Sequence, residues 1–295
     1  MEPTKRPFPK VGITHIGVFH ADDVFAAAFL RCIDPKIEIK RHRIASPEIA
    51  RYPDDTIIFD VGGGEFDHHT KETQEWRDSE NQKYPYASFG KIVRAFWPYL
   101  FDDERVMKAF DAMLVVGIDA HDCGTFGTIP NTLAMAISAF NPNWNENLSA
   151  NEAFEDAVAM AKVVIKNFIR KAKAMVDSED KVAAALNQRK SGERFIVLDH
   201  YVNYNAYLKN APVDWVIYPS LRGGFQLYSV MRNGVNADLL PEDYLSELRS
   251  RTDTLFVHPA GFTATFITLA AAIRAARERS KAVSNTPANC DDKTN

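Results

Sequence analysis

Five of the eight histidines in this chain fall into three short clusters that also carry aspartates. These are His15 with His20, Asp22 and Asp23; Asp67-His68-His69; and Asp119-Ala120-His121-Asp122. Asp60, at the end of the apolar run Thr56–Phe59, is a fourth point of the same kind. A metal site needs donor atoms that converge on one point, and mixed imidazole and carboxylate donors suit Mn²⁺, Fe²⁺, Co²⁺ or Zn²⁺ better than Mg²⁺ or Ca²⁺. Each cluster alone has a plainer reading. His15 could be a packed strand histidine, Asp22 and Asp23 helix caps, and Asp119 with Asp122 the polar end of a helix before Cys123-Gly124. Tandem His68-His69 is harder to set aside, because one of two adjacent side chains in a strand must point inward. Their occurrence in order, each after an apolar strand or helix, favours one shared site.

The elements that must position these residues read as alternating strands and helices. A first strand, residues 11–19, ends near His15. The apolar stretch Val24–Leu30 after His20-Ala-Asp-Asp reads as a helix capped by Asp22 or Asp23. Further strands are expected at Ile37–Lys40 and from Thr56 to Val61. This spacing predicts an α/β domain whose mainly parallel sheet is flanked by helices, with ligands gathered beyond the carboxyl ends of the strands. Helical spacing recurs over Phe89–Leu100 and Glu104–Ile118. A long helix is expected from about Asn151 to Asn187, with Phe154, Val158, Val163, Val164, Phe168 and Ile169 as its packing face. A polar shift at Gln188–Glu193 sets the domain boundary near 190. The expected domains are therefore 1–190 and a smaller α+β domain, 191–283, with a disordered tail, 284–295. The second domain should hold strands at Arg194–Leu198, Trp215–Pro219 and Phe225–Met231, the last two forming a hairpin around Ser220–Gly224, and a closing helix from about Thr263 to Arg279.

The 295 residues are 46% hydrophobic and 25% charged, with net charge −4, an ordinary globular composition that selects no partner by charge. Cys32, Cys123 and Cys290 show no paired spacing, which fits a reducing compartment and argues against a structural zinc knuckle. No apolar run approaches the ~18 residues of a membrane span. With no signal core near the N-terminus, a cytoplasmic protein is expected.

The motifs together resemble the Myg family (melanocyte proliferating gene product) of the DHH phosphoesterase superfamily. Asp67-His68-His69 after Phe59-Asp60-Val61-Gly62-Gly63 is similar to the defining Asp-His-His block. Thr14-His15 through Phe19-His20-Ala21-Asp22 resembles the family's opening motif, with His20 standing where the wider superfamily has its first Asp. Ser88-Phe89-Gly90, Ile118–Gly124, Gly223–Leu227, Leu240-Pro241-Glu242 and Phe256–Phe262 follow in the family's order, so the resemblance covers about residues 12 to 275. It implies a DHH-type catalytic domain, a C-terminal substrate-binding domain and 3′–5′ exonuclease action on RNA or short oligonucleotides, through water activated by two divalent cations, Mn²⁺ first among them. It further implies His15, His20 and Asp22 on one ion, Asp60 bridging, and His68 with Asp122 on the other. Asp67 would orient a neighbouring imidazole, His69 would serve the leaving group, and Asp119 and His121 would support the ligands from behind. Arg222, Gly223, Gly224, His258 and Gly261 would grip the substrate. A homodimer is left open.

Two other readings stand beside this one. The same scaffold could hydrolyse a small molecule, such as a cyclic dinucleotide or pyrophosphate. A non-catalytic, metal-containing nucleic-acid-binding protein would instead use Lys40-Arg41-His42-Arg43 and the helix bearing Arg274, Arg277, Arg279 and Lys281 against phosphates.

Overall fold

The computed structural model describes residues 6–43, 51–77, 83–125 and 132–284. The expected tail therefore lies, apart from Ser284, outside the described residues. Two compact units divide at Ala174/Met175.

In the first unit, β1 (Val11–Thr14) is the central strand of a parallel sheet, between β2 (Glu38–Arg41) and β3 (Thr56–Ile58). Parallel strands need crossovers, and α1 (Ala21–Ile33) is the first of them. Every residue from Ala21 to Leu30 is buried, since α1 packs against α2 (Ser88–Phe96), α4 (Val116–Asp122) and α5 (Thr132–Ser138). Its Ala and Phe residues satisfy neighbours all round, as a fully buried helix must. Phe25 and Phe89 (5.6 Å between centroids) and Phe29 and Phe110 (6.4 Å) join these helices, and each fully buried phenylalanine contributes roughly 1.5–3 kcal/mol. A two-stranded ribbon, β4 (Glu75–Trp76) with β5 (Pro85–Tyr86), precedes α2. The segment Glu104–Asp122 runs through α3 (Glu104–Phe110) and a π-helical turn (Asp111–Val115) into α4.

The 39-residue α6 (Ala150–Gln188) crosses the division between the units. The polar shift at 188–193 marks the end of this helix, whereas the units part at 174. Its final turns belong to the second unit, whose core includes Val182 and Ala185. Its packing face also differs from expectation: Val163 is exposed, and Ala157, Ala161 and Ile165 are buried with Phe154 and Val158. Small alanines let neighbours approach closely, a face that counting large apolar residues overlooks.

The second unit is built on a five-stranded sheet ordered β11-β12-β8-β7-β6. β6 (Phe195–Val197) and β7 (Trp215–Pro219) are parallel; β8 (Phe225–Ser229), β11 (Thr254–Val257) and β12 (Thr263–Phe266) join antiparallel. The hairpin at Ser220–Gly224 is present, with Pro219 paired to Phe225. β7 alternates strictly: Trp215 and Ile217 enter the core on one face, with α7 (Glu242–Ser250) and α8 (Leu269–Ser284), and Val216 and Tyr218 the core on the other. The closing helix expected from Thr263 begins only at Leu269. Thr263-Ala-Thr-Phe266 is a strand, because its β-branched alternation fits between β8 and β11, and Thr268 Oγ1 then accepts from the Ala271 N–H at the helix start. A short hairpin, β9 (Met231–Arg232) with β10 (Val235–Asn236), completes the unit. No helix of the described residues is long and apolar enough to cross a membrane.

Candidate metal centre

Beyond the carboxyl ends of β1 and β3, the first unit gathers the clustered histidines and aspartates. One set, His15, His20 and Asp60, presents ligand atoms within 4.8 Å of one another. A second, Asp22, Asp60, His68 and Asp122, does the same. A third, Asp60 with Asp67, His68 and His69, overlaps the second, and Asp60 belongs to all three. All six expected metal positions are therefore brought together, with one change in their division: Asp22 stands with His68 and Asp122, not with His15 and His20.

The chain's local chemistry places each of these side chains. His15 follows the last residue of β1, and its Nδ1 lies 3.1 Å from the Ile16 carbonyl. That bond suits Nδ1 as donor and leaves Nε2, which sits 3.3 Å from both Asp23 Oδ2 and Asp60 Oδ2, as the coordinating nitrogen. His20 is the N-cap of α1, where Asp23 Oδ1 accepts from the His20 N–H at 2.8 Å. Asp22 serves a different helix from the one expected. Its carboxylate accepts from the N–H groups of Ser88 (3.0 Å) and Phe89 (2.7 Å), at the start of α2. Asp60 takes φ +59°, a left-handed conformation costly for a non-glycine residue and enriched at ligand sites. Its N–H donates to Phe66 O at 3.0 Å, which ties the end of β3 to the loop bearing the tandem histidines.

Within that loop the two imidazoles part. His68 is 8% exposed and turns inward, with Nε2 2.9 Å from Asp122 Oδ2 and Nδ1 3.5 Å from Asp60 Oδ1. His69 stacks on it, centroids 4.3 Å apart, and is exposed. Asp67 orients His69, accepting from its Nδ1 at 2.7 Å and its backbone N–H at 3.1 Å, while the Gly63 N–H donates to the other oxygen at 2.6 Å. Despite burial, these bonds hold the Asp67 carboxyl well below the usual range, and the same bond raises the His69 imidazole. His121 is exposed and lines, with His20, His68, His69 and Asp122, a cleft of about 360 Å³.

Asp119 has another task. It is fully buried, accepts from Arg77 Nη2 (2.7 Å) and from the Gly90 N–H (3.1 Å), and belongs to none of the ligand sets. Arg77, also bonded to Asp111 at 2.8 and 2.9 Å, joins α4 and the π-turn to the ribbon. Gly90 is required there, since a Cβ would stand 1.9 Å from Asp119 Oδ2. Lys91 is a further residue that motif reading did not single out. It is 2% exposed, and its ammonium donates to the carbonyls of Glu65 (3.1 Å), Asp67 (2.8 Å) and Thr73, which pins the Asp-His-His loop to α2. Isolated charges such as Arg77 and Lys91 carry no spacing signal, and only their burial reveals them.

The electrostatics fit a cationic occupant. Burial, with the charges of Asp60, Asp122 and Asp119, pushes the Asp22 carboxyl well above its ordinary value. Burial likewise lifts Asp23 to about 7, with the His15 charge acting against it. Burial opposes the charged His15 imidazole, yet the Asp60 hydrogen bond and the nearby carboxylates raise it to about 9. Among the described residues no lysine or arginine pairs with Asp22, Asp60 or Asp122. Buried carboxylates without a counter-cation are expensive, and a mixed N/O donor set meets that cost by binding divalent metal.

The residues expected to grip substrate lie in the second unit, and most have packing roles. A Cβ at Gly224 would meet Phe266 O at 2.2 Å, and one at Gly261 would meet Leu240 O at 2.4 Å. His258 Nδ1 accepts from the Ala260 N–H at 3.1 Å, with its ring 4.1 Å from Phe262. The N–H groups of Arg222 and Gly223, expected to face a phosphate, are used inside the turn by Ser220. Of this group only the Arg222 side chain is left outward.

An α/β unit with His/Asp sets sharing one buried aspartate at the ends of parallel strands defines a candidate metal-binding protein. The chain belongs to the MYG1 exonuclease family, described as uncharacterised protein family UPF0160, whose model matches residues 11–279. It is 25% identical to a MYG1 protein of Schizosaccharomyces pombe over 90% of this chain and 95% of the relative. A MYG1 protein of Saccharomyces cerevisiae is 26% identical over 84% and 89%. The MYG1 exonuclease of Bos taurus is 28% identical over 54% of this chain and 51% of its own length.

Proposed function

We propose that the first unit is a DHH-type, metal-dependent phosphoesterase that cuts RNA or short oligonucleotides as a 3′–5′ exonuclease. The observation that carries this reading is Asp60, shared between the ligand sets, whose carboxylates pair with no lysine or arginine among the described residues. His15, His20 and Asp60 would hold one divalent ion, and Asp22, Asp60, His68 and Asp122 the other, the donors suiting Mn²⁺, Fe²⁺, Co²⁺ or Zn²⁺ and the family resemblance putting Mn²⁺ first. Such ions lower the pKa of water toward neutrality and offset charge on phosphoryl oxygens. The protein's own part is placement and proton supply. Asp67 orients His69 at the cleft and favours its protonated form, from which the imidazole can give a proton to the departing oxygen. Lys91 and the Ser88 N–H hold the loop and the Asp22 carboxylate in register. Relatives named exonucleases support the choice of a nucleic-acid substrate.

Part of the basic surface that the non-catalytic reading would use is engaged within the chain. Arg41 is spent on the carbonyls of His15, Gly17 and Ala150, while Arg274, Arg277 and Arg279 are each paired with a carboxylate. The test is a panel of RNA, single-stranded DNA, dinucleotides and pyrophosphate offered to the manganese-loaded chain. Release of nucleoside monophosphates from RNA, absent in Asp60→Asn, is the expected result. Cleavage of pyrophosphate alone would replace the substrate, and turnover unchanged in Asp60→Asn would remove the site.

A further inference from the structure

The loop between β1 and α1 carries both imidazoles of the first ligand set, His15 and His20, with their rings 5.9 Å apart. Its backbone is held from neighbouring elements. Arg41 donates to the carbonyls of His15 (3.2 Å) and Gly17 (2.6 Å). Asn141 takes Phe19 from both sides, its Oδ1 accepting from the Phe19 N–H at 3.0 Å and its Nδ2 donating to the Phe19 carbonyl at 2.9 Å. These bonds fix the main chain, yet none of them acts on a ring.

One side chain reaches both histidines. Asp23, fully buried in the first turn of α1, accepts through Oδ1 from the N–H groups of His20 (2.8 Å) and Val24 (3.0 Å). Capping the helix needs no more than that one oxygen. Oδ2 is buried as well, accepts no hydrogen bond among the described residues, and faces His15 Nε2 at 3.3 Å. A buried carboxylate oxygen without a donor is costly, so helix capping leaves it unexplained. With His15 Nδ1 held by the Ile16 carbonyl, Asp23 and Asp60 stand at equal distance from the coordinating nitrogen. Asp60 is the shared ligand, whereas Asp23 belongs to none of the ligand sets.

We propose that Asp23 is a positioning residue for the first ion, fixing His15 and His20 relative to each other and keeping a negative charge beside the coordinating nitrogen. Outer partners of this kind orient a ligating imidazole and raise its hold on metal. The proposal rests on the metal-centre reading above and on no step of hydrolysis.

The test is calorimetric titration of the full chain with Mn²⁺, read on the uptake step that His20→Ala removes. Asp23→Ala should weaken that step by roughly tenfold, and Asp23→Asn by roughly a hundredfold, the two ends of what lost outer partners cost metal sites. The order follows from the amide. Its oxygen can still take the His20 N–H, so its NH₂ must face His15 Nε2 and donate to the lone pair that an ion needs. A residue that only capped α1 would give the reverse order, Asn close to the parent and Ala worse. The step belonging to Asp22, Asp60, His68 and Asp122 should be unchanged in both variants. Asn binding as tightly as the parent, or both steps weakened together, overturns the proposal. A parent chain that takes up no Mn²⁺ removes the metal centre and this proposal with it. The expected order of ion uptake without hydrolysis of any substrate leaves Asp23 in its role and removes only the phosphoesterase reading.

Discussion

Asp60 carries more of this account than any other residue. Its left-handed backbone suits asparagine as well as aspartate, so Asp60→Asn keeps the conformation while removing one buried negative charge. In chelator above pH 9, where the His15 contribution is gone, the variant should melt no lower than the parent, and at neutral pH Mn²⁺ should no longer raise its melting temperature; differential scanning fluorimetry reads both. The site's titration has a definite sign. His15 is raised to about 9, so its contribution to stability is complete below its unfolded value near 6.5 and disappears as pH climbs through 9. Asp23, raised to about 7, likewise favours the folded state at low pH and ceases to do so as pH passes 7. The metal-free parent should therefore lose stability from pH 6.5 to 9 more steeply than Asp60→Asn, which lacks the carboxylate that raises His15. Parallel pH dependences in the two chains would contradict the cluster's electrostatics. Lys91 offers a separate test. Lys91→Met strands buried carbonyls of Glu65, Asp67 and Thr73, at about 1–3 kcal/mol for each one left unsatisfied. Urea unfolding should show a loss of several times RT, and Mn²⁺ affinity should fall with it.

At the scale of elements, the start of α2 is the scaffold of the centre. Its first N–H groups are taken by Asp22 and Asp119, so the helix is capped by carboxylates from α1 and α4 and locks both in place. Gly90 makes the close approach feasible. Gly90→Ala would force a methyl into Asp119 and Arg77, and overpacking of this kind costs about 1–3 kcal/mol. Thermal unfolding should register that loss, although Gly→Ala within an exposed helix ordinarily stabilises. A melting temperature equal to or above the parent's would show that α2 and α4 are not held at this distance.

Across the whole chain, the ligands were legible because their types are rare in combination and because they follow apolar strands. Parallel β1–β3, the β7–β8 hairpin and α6 were legible for the same reason, periodicity sustained over several residues. Asp22 and Asp23 were readable as caps, yet which helix Asp22 caps depends on the packing of α1 against α2, and no local pattern encodes that. Arg77 and Lys91 act through burial, which a single charged residue does not announce. The strand Thr263–Phe266 was hidden by the Ala-rich helix after it, and α5, α7 and β11 are too short or too mixed in character for periodicity to separate them from loops. In the Gly-rich and His-x-x-Gly-Phe segments, close backbone packing accounts for Gly224 and Gly261, and a left-handed turn conformation for Gly223.

The central claim is that one chain holds two divalent ions joined at Asp60. Calorimetric titration of the chelator-treated full chain with Mn²⁺ tests it directly. The expected stoichiometry is two per parent chain, one after His20→Ala with the set around His68 intact, and none of comparable affinity after Asp60→Asn. A parent chain that takes up no Mn²⁺, or that binds equally well without Asp60, would contradict it.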